Sequence, residues 1–325
     1  MRQVIAGSLI SVLVPMLLMP ERVSAGEDEI APKWSADGEY IYFYSYRHPD
    51  PEQVHKKPSF TMRMRVDGTE KTVLSLGEHR NWWVLPLPCE KGACAETDLI
   101  VISERDAQEA FGGSNIYRYA PQKQTYEVLT DAQPAQGEWI LNSSLSSDGR
   151  FLSYIWRLSF RGQAGARILL QDRHTGETQE INTQHAEIHD VALMPDGSGL
   201  VFSPNENQIF HLNLQDGTSR LVFEFAENEG QMLDGLTVRP DGKALAFSYG
   251  PSGITTTEIY RVSIDGSGLT QLTKNDVADL RPDWSPDGKK IAFNNIPNPE
   301  QDWNDIIIMK ADGEKKANLT GNSGK

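Results

Sequence analysis

Short runs in which apolar and polar residues alternate recur along this chain, and each comes directly after the same kind of turn. Tyr40–Tyr44, Phe151–Ile155, Gly199–Phe202, Ala244–Phe247 and Lys290–Phe293 follow the phrases Trp34-Ser-Ala-Asp-Gly38, Leu145-Ser-Ser-Asp-Gly149, Leu193-Met-Pro-Asp-Gly197, Val238-Arg-Pro-Asp-Gly242 and Trp284-Ser-Pro-Asp-Gly288. A period of two puts successive side chains on opposite faces of a strand. Asp-Gly supplies the positive φ that a tight hairpin requires. Each phrase with its run therefore predicts two antiparallel strands joined by a hairpin, the turn aspartate accepting hydrogen bonds from nearby backbone N–H groups. No stretch sustains the 3.6-residue apolar period of a helix.

A second hairpin follows each of these. It is seen in Met62–Val66 with Asp67-Gly68, Ile168–Gln171 with Thr175-Gly176, and Ile209–Leu212 with Asp216-Gly217. It recurs in Ile259–Val262 with Asp265-Gly266 and Ile306–Met309 with Asp312-Gly313. Asp148, Asp196, Asp241 and Asp287 are 48, 45 and 46 residues apart, whereas 111 residues separate Asp37 from Asp148. A unit with a degenerate turn is therefore expected in that gap, with strands at Asn81–Leu85, Asp98–Ser103, Ile116–Tyr119 and Tyr126–Leu129. The units run approximately over 27–76, 80–130, 138–183, 185–224, 230–273 and 275–320. One four-stranded sheet cannot cover both of its own faces, but six arranged radially cover one another. The expectation is all-β: a single six-bladed β-propeller over residues 26–325, with four antiparallel strands per blade.

The two cysteines, Cys89 and Cys94, fall where the degenerate unit lacks Asp-Gly. A disulfide there would clamp a turn that has lost its usual residues. The C-x4-C spacing is not the C-x-x-C of redox pairs, and without a nearby histidine it makes a poor zinc site.

The first 25 residues read differently. Arg2 precedes an uncharged apolar stretch from Val4 to Met19, and Val23-Ser24-Ala25 is a small-residue cleavage site. This predicts a secretory signal peptide cut after Ala25. The apolar run is shorter than the roughly 20 residues of a spanning helix. The expected location is periplasmic or secreted, with no membrane span after cleavage. The chain carries 31 Lys+Arg against 45 Asp+Glu, a formal charge of −14, which becomes −15 without Arg2, Glu21 and Arg22. That balance disfavours nucleic acid, whose phosphates require a basic face, and anionic lipid.

Two segments carry a family resemblance. Pro282-Asp-Trp-Ser-Pro-Asp-Gly-Lys-Lys-Ile-Ala-Phe293 and Ile259-Tyr-Arg-Val-Ser-Ile-Asp-Gly-Ser-Gly-Leu-Thr-Gln-Leu-Thr273 resemble the WD-like repeat of TolB-type propellers. The resemblance implies a non-catalytic, monomeric periplasmic protein without a cofactor, binding an envelope protein or peptide at one face of the ring. TolB also carries an α/β domain ahead of its propeller; here the first blade is expected directly after Ala25, without that domain. Similar blades occur in prolyl-oligopeptidase-type peptidases, whose hydrolase domain carries a G-x-S-x-G elbow. This sequence contains no such pentapeptide, and Ser252 in Gly250-Pro-Ser-Gly253 reads as a loop serine. They occur too in oligogalacturonate lyases, which makes a carbohydrate-active enzyme with a metal-assisted site at the channel mouth the alternative function. That family's histidine-rich axis and basic substrate groove are poorly matched by an acidic chain offering His185 and His189.

Aligning the units places His185, Glu187, His189 and Asp190 at one mouth of the channel, with Asp234 from the next blade and Asp279, Arg281 and Asp283 from the last. Carboxylates and imidazoles converging on an axis could receive a basic peptide segment or a divalent cation. The remaining histidines, His48, His55, His79, His174 and His211, are scattered. Trp34 and Trp284 should pack between blades, and adjacent Trp82 and Trp83 should face opposite ways. Neither chain end is long enough to lend a strand to the other. The first and last blades should therefore meet through packed side chains alone, at the weakest junction of the ring.

Overall fold

The computed structural model describes residues 28–46, 59–75, 81–104, 114–132, 138–160, 163–205, 207–225, 231–250, 256–298 and 303–321. The signal segment, His48, His55, His79 and Ser252 lie outside the described residues.

The Ser-x-Asp-Gly turn is a small hydrogen-bonded unit, and it explains why the phrase recurs. In the first blade the Ser35 hydroxyl donates to Asp37 Oδ1 at 2.6 Å and accepts from the Tyr40 N–H at 2.9 Å. Asp37 Oδ1 also accepts from the Glu39 N–H, and Gly38 completes the turn at φ +73°. Ser146 with Asp148 and Ser285 with Asp287 repeat the arrangement. Each turn joins an inner strand to the next strand outward.

Six four-stranded antiparallel sheets result, each built from four consecutive strands. The inner strands are Asp28–Trp34, Asn81–Pro86, Glu138–Leu145, Asp190–Leu193, Gln231–Val238 and Ala278–Trp284. Outer strands run from the two-residue Thr72–Val73 to the six-residue Ser219–Glu224. The chain is thus the expected all-β, six-bladed propeller, closed without exchange of a strand. The degenerate unit is the second blade. There Cys89 and Cys94 are bonded, with Cα atoms 5.2 Å apart, and a 3₁₀ turn, Cys94–Glu96, takes the place of Asp-Gly. The Cys94 carbonyl accepts from the Tyr42 hydroxyl of the first blade, so the bridged loop also ties two blades together.

The apolar core is divided among the seams between blades. One cluster joins Trp34, Ile41, Phe43, Met62 and Met64 of the first blade to Ala292, Ile306 and Ile308 of the last. Another sets Ile155, Ile168 and Leu170 against Val191, Leu200 and Phe202. Each sheet buries both faces, so second strands do not keep the alternation expected of them: Leu99–Ser103, Gly199–Ser203 and Ala244–Gly250 are buried at every residue. Blades approach so closely that a Cβ on Gly266 would lie 2.2 Å from the Val222 carbonyl oxygen of the preceding blade.

The closing seam departs from expectation. Side-chain hydrogen bonds cross it. Asn294 Oδ1 accepts from the Ala31 N–H at 2.7 Å, and its amide donates to the Glu29 carbonyl at 2.6 Å. Asp283 accepts from Lys33 Nζ at 3.2 Å and from the Trp34 N–H at 2.9 Å, while the Trp34 indole donates to the Asp283 carbonyl. Polar side chains thus stand in for a shared strand, so the first and last blades do not meet through packing alone.

Candidate binding site in the central channel

The inner strands are not regular. Register shifts interrupt those of the first, second, third, fifth and sixth blades, and Ala31, Asn142, Gly235 and Arg281 take positive φ there. A bulge turns backbone N–H groups out of the ladder, and side chains of a neighbouring blade accept them. Asn294 serves Ala31, Ser248 Oγ serves Arg281 at 3.1 Å, and Asp190 Oδ2 serves Gly235 and Leu236 at 2.8 and 2.7 Å.

This network places most of the expected mouth residues. Asp190 is buried, receives those two amides, and also accepts from the Asn142 amide of the blade before it. Asp279 is buried within the last blade, where the Asn275 and Asn295 amides donate to it at 2.8 and 2.6 Å. Burial pushes its carboxyl above the usual range, against those hydrogen bonds. Asp283 is likewise raised by burial, opposed by the Lys33 ammonium. Arg281 donates from Nη1 to the Tyr44 hydroxyl across the closing seam at 3.2 Å. His185 lies away from the axis, its ring 4.9 Å from that of Phe210 and 5.7 Å from that of Phe202, in a groove beside the third blade. Glu187 and His189 are exposed, and for Asp234 only the backbone is described. Of the carboxylates the sequence singled out, Asp190 and Asp283 hold neighbouring blades together, while Asp279 is bonded within its own blade. Among the described residues no group of three or more His, Cys, Asp or Glu side chains is placed to hold a metal ion. His185 packs against the stacked Phe202 and Phe210 rings, apart from the exposed His189.

The channel itself contains a cavity of about 180 Å³ lined by residues of all six inner strands. It extends to Ser147, Pro195 and Pro240, which lie beyond the ends of their inner strands, so it belongs to the hairpin end of the channel. Of the expected mouth residues, Asp283 lines it. Beside it are Lys33 and Ser143, which the turn phrases do not single out, and Trp83. Lys33 Nζ lies 4.8 Å from the centre of the Trp83 ring, and the Trp83 indole donates to the Ser143 carbonyl at 3.0 Å. Trp34 and Trp284 pack between blades as expected and also form part of the wall. Trp83 is buried in the seam cluster, while Trp82 stacks on Trp139 at 6.1 Å. A signal for the ion pair did exist: Lys33 and Asp283 each stand immediately before the tryptophan of the turn phrase, in the first and last units.

Six radially packed sheets around such a channel define a β-propeller. Residues 132–324 match the family described as the TolB beta propeller domain, and the chain belongs to that family. It is 26% identical over 149 residues to the uncharacterized protein Atu1656 of Agrobacterium fabrum, covering 46% of this chain and 48% of that protein. Among solved structures, TolB from Acinetobacter baumannii superposes with a TM-score of 0.63 at 19% identity, covering 87% of this chain and 64% of that one. An oligogalacturonate lyase in complex with manganese gives 0.58 at 15% identity, covering 90% and 77%. The two structural likenesses are likenesses of fold. The chain spans about half the length of the curated relative it matches.

Proposed function

We propose that this protein is a non-catalytic binding propeller of the cell envelope, exported by its N-terminal segment, which recognises a protein or peptide at one end of the ring. The observation that carries this reading is the channel cavity, to which every blade contributes wall, while Asp190 and Asp283 are engaged in bonds between blades. Membership of the TolB beta propeller family adds support. The hairpin end is the preferred face because the cavity lies there.

Affinity capture from an envelope extract tests the proposal, using the intact protein beside Ser147→Trp. Ser147 is exposed at the cavity's hairpin end, so an indole there obstructs the opening without disturbing a buried contact. A partner recovered with the intact chain and lost with the variant is the expected result. The lyase reading is tested on the same protein: oligogalacturonate with manganese should yield no unsaturated uronate absorbance, and sustained turnover would replace the binding proposal.

A further inference from the structure

The chemistry of the channel wall indicates what kind of group enters it. Two residues of the cavity wall carry a buried polar atom with no hydrogen-bond partner among the described residues: the hydroxyl of Ser143, 2% exposed, and the indole N–H of Trp284, 5% exposed. Both can donate. Lys33 adds an ammonium with three N–H bonds, of which Asp283 Oδ1 takes one. A wall with surplus donors calls for an acceptor.

Charge narrows the class. Lys33 and Asp283 are the titratable residues in the cavity lining, and they neutralise each other at 3.2 Å. A second carboxylate or ammonium brought between these walls would be desolvated without a counter-ion, which is costly. A neutral carbonyl oxygen meets the donors without that penalty. The rest of the wall is uncharged, with Trp34, Trp83, Leu236 and Pro240 set among the neutral polar Asn142, Ser144 and Thr237. The volume, about 180 Å³, is below the ~300–1,000 Å³ of sites for drug-sized molecules.

We propose that the hairpin end of the channel is an insertion site for an uncharged amide, presented by a peptide chain, whose carbonyl oxygen accepts from Ser143 and Trp284 beside the Lys33 ammonium. This rests on the reading of the protein as a peptide-binding propeller and specifies which chemical group that partner inserts.

The test uses small probes on the full chain: N-methylacetamide, acetate and methylammonium, each titrated while the indole N–H resonances are followed by NMR. Trp284→Phe and Trp83→Phe assign the relevant signals. N-methylacetamide should shift both signals saturably, and the two ions should leave them in place. Ser143→Ala should weaken the amide by roughly fivefold, the worth of about one neutral hydrogen bond. Ser147→Trp, outside the buried wall, should abolish the shift in a protein whose other resonances are unchanged, which guards against misfolding of the Ser143 variant. The proposal is overturned if acetate shifts the indoles as strongly as the amide, if no probe shifts them, or if Ser143→Ala binds as well as the parent. Because no partner is present, failure here leaves the binding reading standing. Amide binding without any captured partner would instead count against that reading alone.

Discussion

Asn294→Ala perturbs the ring at the point where its two ends meet. The side chain is 1% exposed and connects the last blade to the first through both of its amide atoms. Removing it leaves the buried Ala31 N–H without an acceptor, at a cost of about 1–3 kcal/mol, and removes a second bond worth about 0.5–1.5 kcal/mol. The combined loss, about 2–4 kcal/mol, is a large fraction of the ~5–15 kcal/mol that holds a domain folded. Urea unfolding followed by circular dichroism should show a lower midpoint with an unchanged m-value, since the surface exposed on unfolding stays the same. Native-state hydrogen exchange should show faster exchange at Ala31 and its neighbours, with the third and fourth blades little affected. A loss under about 0.5 kcal/mol, the scale of an ordinary surface substitution, together with unaltered exchange at Ala31, would refute the idea that polar clamps replace a shared strand.

Other substitutions probe separate parts of the account. Gly266→Ala should destabilise by about 2 kcal/mol or more in urea, because it combines φ +88° with a Cβ 2.2 Å from a carbonyl oxygen; Gly92→Ala, at φ +84° with no atom within 4 Å, should cost less, and equal losses would contradict the close approach of the blades. Replacing Cys89 and Cys94 together by serine should cost about 2 kcal/mol for so short a loop, and exchange should quicken in the first blade as well as the second, through Tyr42; loosening confined to the second blade would argue against that contact. Burial raises the Glu258 carboxyl, so its contribution to stability is complete at pH values below its unfolded pKa and is lost as pH rises through the higher folded one. Glu258→Gln lacks that titration and should therefore gain on the parent as pH goes from about 4 to 8; a relative gain that shrinks over this range would show the sign to be wrong.

Much of the architecture is legible in the sequence because it is local. The Asp-Gly turn carries its own hydrogen bond in all five phrases, with a serine added in three, so each turn announces itself and the strand after it. Even the degenerate unit could be placed, since Asn81–Pro86 and Leu99–Ser103 retain their apolar content without the turn. The site was less legible because its residues act across blades. Asp190 looks like a ligand in the chain, but its carboxylate meets amides of Gly235 and Leu236, which bulges alone expose. His185 aligns with the axis by residue count, yet the inner strand of its blade begins only at Asp190, and the ring packs against Phe202 and Phe210 instead. Lys33 and Asp283 were readable in principle as opposite charges at equivalent positions of the first and last units. Their pairing depends on ring closure, which no single repeat encodes.

Binding at the hairpin end of the channel is the central claim, and site-specific photo-crosslinking tests it most directly. A benzophenone side chain at position 147 stands at the opening of the cavity, and one at position 128 stands on the outer rim, where Val128 is 56% exposed. Irradiation in an envelope extract should give one discrete protein adduct from position 147 and none from position 128. Adducts from position 128 alone, or equally from both, would place recognition on the rim and contradict the account.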